Sequence, residues 1–168
     1  PIEGDERQKY EDDTRESIMS DDHSVVFAQL NTIPTDISEI IIKAMQTEPE
    51  KRYENATEML DDVAKAKSYH DEYERISDEV IEGFYDSLKG HTRRAERLLL
   101  ELYPDASYAE RIAILLHDNE RIRDDKSEWD KQSPYNEHKL RHATTGAEDA
   151  INLHMKIDDQ RLKDEVKY

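Results

Sequence analysis

The sequence predicts an all-α fold, and three observations predict it. Apolar residues recur every three or four positions through most of the chain, the spacing of one helix face. No run of useful length alternates apolar with polar residues, as a half-buried strand would. The breaks pair a proline with a helix-starting cap: Pro49 ahead of Asn55 and Glu58, Pro104 ahead of Ser107 and Glu110. The chain has 168 residues, a formal net charge of −17 and 39% charged residues. Leu, Ile, Val and Phe make up about a fifth of it, a level at which disorder competes with folding. The helical spacing argues instead for a folded chain with a thin core and long solvated faces.

Residues 1–24 are polar, with a short helix expected around Tyr10–Met19 that turns Ile18 and Met19 inward. Val25–Phe27 and Leu30 form a small apolar patch ahead of Ile33–Pro34. Thr35 or Asp36 then caps a helix with Ile37, Ile40, Ile41, Ala44 and Met45 on one side. Ile42 widens that stripe, so this helix is expected to be the most buried element. Pro49 stops it, Asn55 accepts from the first free N–H groups of the next helix, and Glu58 reaches back to the cap.

From Ala56, the positions Met59, Leu60, Val63, Ala66, Tyr73, Ile76, Val80, Phe84 and Leu88 trace one face of a long helix or coiled-coil strand. Unbroken from Asn55 to Lys89, it would extend roughly 50 Å. Ser77, flanked by Ile76 and Ile81, is a candidate restart, and Gly90 ends the run. Thr92 opens a short helix with Ala95, Leu98, Leu99 and Leu102 inward, stopped by Pro104. The next helix starts at Ser107 and Glu110, carries Tyr108, Ile112, Leu115 and Leu116, and extends toward Ile122 and Trp129 before Ser133–Pro134. A final helix places Leu140, Ala143, Ala147, Ala150, Ile151, His154 and Ile157 on one face. After residue 66 the reading is a small antiparallel helical bundle or coiled coil.

The acidic balance argues against nucleic acid or an anionic membrane as a partner, since phosphate surfaces repel it. With no cysteine, disulfides and thiolate metal sites are excluded. No apolar run approaches membrane-spanning length and no signal peptide is visible, so a cytoplasmic location is expected. The start at Pro1, inside a polar run and without methionine, reads as a piece of a longer protein.

The segment "IPTDISEIIIKAMQTEPEKRYENATEMLDDV", residues 33–63, resembles the end of the C-terminal lobe of serine/threonine protein kinases, particularly the bacterial type. Ile33–Pro34, Asp36, Pro49, Arg52, Tyr53, Asn55, Ala56 and Glu58 stand where that family's pattern puts them. The opening "PIEGDE" is similar to the P-F-x-G turn before the kinase G helix, with Ile2 in place of the aromatic. The resemblance covers residues 1–66 and leaves 67–168 as a helical extension. It implies that Arg52 pairs with the glutamate of an A-P-E motif, bidentately, and that Tyr53 packs at the same turn. The parent's activity would be ATP-dependent phosphorylation of proteins on Ser or Thr, with ATP and Mg²⁺ as its cofactors.

This chain departs from the pattern in carrying no glycine-rich loop, no strand lysine, no H-R-D and no D-F-G. It therefore holds no catalytic or cofactor-binding residue of its own, and its structural signature is the turn Pro49, Arg52, Tyr53, Asn55 and Glu58. The expected partners are the rest of the kinase domain and proteins bound through the extension. Two rivals stand beside this reading. One is a free-standing acidic helical interaction module. The other is a hemerythrin-like metal-binding bundle, which would use His138 and His142, His70 and Glu74, and His154 with Asp158 and Asp159 together. It fits poorly, because His142 and His154 are read onto one helix, and no metal ligand is assigned. Arg93, Arg94 and Arg97 read as a solvated face pairing with local acids, and Leu98, Leu99, Leu100 and Leu102 as core.

Overall fold

The computed structural model describes residues 8, 9, 12, 13, 15, 16, 30–119 and 147–167. Among them every regular element is helical and no strand occurs. No helix among these residues is long and apolar enough to cross a membrane. The chain divides into two compact units, Pro1–Ala66 and Lys67–Tyr168.

In the first unit, residues 12, 13, 15 and 16 are helical, within the expected early helix. Its apolar pair Ile18 and Met19, and the patch Val25–Phe27, lie outside the described residues. Helix α1 spans Thr35–Ala44. Its cap position falls to Pro34 and not to Thr35 or Asp36: the extended Pro34 turns its carbonyl onto the N–H groups of Ile37 and Ser38. Asp36 stands in the first turn and Lys43 in the last, each at the end where the helix dipole favours its charge. Ile40 is buried while Ile37, Ile41 and Ile42 are half-buried, so α1 is not the most buried element. Three consecutive isoleucines point in three directions around a helix, and one neighbour covers only one of them.

Helix α2 runs over Ala56–Arg75, with residues up to Ala66 in the first unit. Met59, Leu60 and Val63, expected to face inward, are exposed at 37, 63 and 42%. The side toward α1 is taken instead by Glu58 and Asp62, whose carboxylates lie 2.6 and 3.8 Å from the Lys43 ammonium.

In the second unit α2 does not continue to Lys89. It gives way at Ile76–Val80 to a π-helical turn and at Ile81–Gly83 to a 3-10 turn. Ser77, the candidate restart, is buried, and Arg93 donates to its carbonyl at 2.8 Å and to its hydroxyl at 2.6 Å. Helix α3, Asp86–Leu102, then runs straight through Gly90 and Thr92, neither of which is a boundary. Its inward stripe is Leu88, Thr92 and Glu96, whereas Leu98 and Leu102 are 55 and 64% exposed. Glu96 holds that stripe because it accepts from the Tyr73 hydroxyl at 2.7 Å and pairs with Arg93 at 3.2 Å. Polar partners at Glu96, together with apolar burial at Leu88, hold this face of α3 inward.

Helix α4, Tyr108–Leu116, starts with the capping box read from Ser107 and Glu110. It packs against α3, against the π-turn and against the last helix, and buries Tyr108, Ala109, Ile112, Leu115 and Leu116. This is the centre of the second unit's core. The expected continuation to Ile122 and Trp129 lies outside the described residues, as do Leu140 and Ala143.

The final helix of the sequence reading, expected to reach Ile157, stops at His154, and a further helix that the reading did not contain follows it. Residues 147–154 form α5, and Gln160–Lys167 form α6, with Ile157 in the link between them. The cause is a set of contacts from α2. Arg75 donates to the carbonyl of His154, and Glu72 accepts from the N–H groups of Lys156 at 2.6 Å and Ile157 at 3.4 Å. Tyr69 donates to Asp159 at 3.0 Å, and Asp159 in turn accepts from Leu162 N–H as the cap of α6. The link 155–159 thus exchanges helical hydrogen bonds for partners on α2. Burial raises the pKa of Glu72, but the hydrogen bonds from Arg75, Lys156 and Ile157 outweigh it and hold the carboxyl below its ordinary value.

Candidate functional site

The turn singled out in the sequence lies between α1 and α2. Pro49 opens a 3-10 turn, Pro49–Lys51, where its missing N–H costs nothing. Arg52 follows in extended conformation and is exposed. Asn55 then accepts from the N–H groups of Thr57 at 2.9 Å and Glu58 at 3.1 Å. Glu58 reaches back at 2.8 Å to the N–H of Glu54, one residue before the expected position.

Tyr53 does pack into this turn. Its hydroxyl donates to Asp62 at 3.0 Å, and the Lys43 ammonium sits 4.1 Å from its ring centroid. Burial, then the bond to Asp62, pushes the phenol up to about 12. Glu58 is shifted the other way, below its ordinary value, by the hydrogen bond from Lys43 and then by the Glu54 N–H. Lys43 is the residue that sequence reasoning missed here. Its signal was a lone cation on the polar side of an isoleucine-rich helix, fifteen positions before Glu58.

The histidines named as rival metal ligands have other roles or other places. His70 is exposed, with its ring 5.4 Å from that of Tyr108. His154 shares a hydrogen bond with Asn119, and burial, then the charge of Arg75, lower its pKa. Asp159 serves Tyr69 and the start of α6, while Asp158 lies 3.7 Å from Lys163. His138 and His142 lie outside the described residues.

The structure brings together a different group. His91 on α3 and the pair His117–Asp118 just past α4 place three donor atoms side by side. His91 Nε2 is 3.1 Å from His117 Nε2 and 3.3 Å from Asp118 Oδ2, and the third edge measures 3.6 Å. His117 Nδ1 lies 2.7 Å from the carbonyl of Ile114. Asp118 is buried at 3% exposure, His91 and His117 are 47 and 31% exposed at their side chains. Nothing in the sequence joins His91 to His117; the packing of α3 on α4 does.

Comparison with protein-family models, curated proteins and solved structures finds no match for this chain.

Proposed function

We propose that residues 1–66 are the closing helices of a bacterial-type serine/threonine kinase C-lobe, and that residues 67–168 are a small antiparallel helical bundle that extends it and binds a protein partner. The observation that carries this reading is the turn. Helix, 3-10 turn at Pro49, extended Arg52, packed Tyr53 and Asn55-capped helix follow in the order the kinase pattern requires. Arg52 stands exposed at the point where a complete lobe would bring a glutamate to it. A second support is the apolar surface of Met59, Leu60 and Val63, which the remaining helices of a lobe would cover.

In this reading phosphoryl transfer, ATP and Mg²⁺ belong to the preceding part of the parent, in the cytoplasm, and this chain alone is inactive. Leu98, Leu102 and Tyr103, all more than half exposed, offer the extension an apolar face for its partner. The coding sequence ahead of Pro1 tests the proposal. D-F-G and A-P-E at kinase spacing agree with it, while a stop codon or an unrelated domain overturns it.

A further inference from the structure

We propose that His91, His117 and Asp118 bind one divalent transition-metal ion of the zinc type. The inference belongs to the second unit and does not depend on the kinase reading. Two ligand atoms each about 2.0–2.1 Å from a tetrahedral zinc ion lie about 3.3 Å from each other. The three edges here measure 3.1, 3.3 and 3.6 Å. The donor atoms already form a face of the right size, so an ion seats over it with shifts of a few tenths of an ångström.

Proton positions favour a cation as well. The Ile114 carbonyl can only accept, so at 2.7 Å it fixes the hydrogen of neutral His117 on Nδ1 and leaves a lone pair on Nε2. That lone pair and the Asp118 oxygen face each other and both face His91 Nε2. His91 carries at most one hydrogen on that nitrogen and cannot serve both acceptors equally. A metal ion attracts all three atoms at once and removes the acceptor–acceptor repulsion.

The surroundings agree. His117 occupies the C-cap of α4, where the helix dipole favours positive charge, and the chain's net charge of −17 draws cations toward it. The buried Asp118 is an anchor on the protein side, while the two partly exposed imidazoles leave a path from water. Imidazole nitrogen with a single carboxylate oxygen selects zinc, cobalt, nickel or copper over magnesium or calcium. Three protein ligands leave a fourth position for water or a small donor.

The test is a titration of the full, tag-free chain with Zn²⁺ and with Co²⁺, followed by calorimetry, thermal melting and visible absorption. We expect one saturable site per chain, a raised melting temperature, and a four-coordinate Co²⁺ spectrum. His91→Ala removes an exposed side chain and leaves the core intact. It is expected to weaken binding by at least about tenfold and to abolish the Co²⁺ spectrum. Asp118→Asn should do the same, whereas the double replacement of His138 and His142 by alanine should not. No saturable binding by the wild-type chain overturns the proposal. So does a His91→Ala chain that binds like wild type, or loss of the metal only on replacing His138 and His142.

Discussion

At Glu72 a single carboxylate, 6% exposed, accepts from Arg75 and from two backbone N–H groups of the 155–159 link. Glu72→Ala removes the acceptor of the Lys156 and Ile157 N–H groups and one partner of Arg75, which keeps the His154 carbonyl, and we expect it to cost about 3 kcal/mol in urea denaturation at neutral pH. Because its folded pKa is below the ordinary 4.5, the stability it contributes is complete above that pH and is lost as pH falls through the folded value. The difference between wild type and variant should therefore shrink on acidification. His154 acts in the same direction: with its pKa lowered from 6.5, the unfolded chain takes up the proton first as pH falls. At the turn of residues 49–55 the two neighbours should part. Arg52→Ala is an exposed change expected to alter stability by no more than about 0.5 kcal/mol. Tyr53→Phe loses the bond to Asp62 and should cost about 1 kcal/mol. A loss of several kcal/mol at Arg52 would contradict the exposed position and the proposal built on it.

Among the elements, legibility followed how local the cause was. The cap at Asn55 and the capping box at Ser107 were visible because cap and glutamate lie three residues apart, although Glu58 closes on the N–H of Glu54 and not on that of Asn55. The rotation of α3 was not, since Leu98 and Leu102 look more like core than Thr92 and Glu96 until Tyr73 and Arg93 are seen to hold Glu96. Gly90 was read as a stop and lies in mid-helix. A Cβ there would meet only the tip of Arg94, at an ordinary 3.5 Å. Gly90→Ala should accordingly raise stability by about 0.5–1 kcal/mol in thermal or chemical denaturation. Ser107→Ala removes the hydroxyl that accepts from Glu110 N–H and should lower it by about 1 kcal/mol. The stop of the last predicted helix at His154 was equally hidden, because the residues that hold the link after it lie on α2.

At the scale of the molecule, the all-helical class of the described residues followed from periodicity, the lack of alternation and the caps, while the His91–His117–Asp118 group required two helices to be packed before it existed. Periodicity reports which side of a helix is apolar, not which neighbour it meets. The kinase reading makes one prediction at this scale: with the phosphate loop and D-F-G missing, titration of the isolated chain with ATP and Mg²⁺ should give no saturable heat at micromolar levels. Saturable binding would remove the division of labour proposed between this chain and its parent.

The contacts that α2 makes with residues 154–159 also set a schedule. Glu72 is separated by 84 positions from Lys156 and by 85 from Ile157. At a synthesis rate of about 5–20 residues per second, a nascent chain carries Glu72 for several seconds before its partners exist. Leu162 and Val166, which finish the core, arrive later still. During that interval α2, α3 and α4 have no C-terminal segment to close over them, and their apolar side chains are open to any other nascent chain. The second unit thus cannot close until residues 154–166 have been made, and that closure joins residues 84 positions apart.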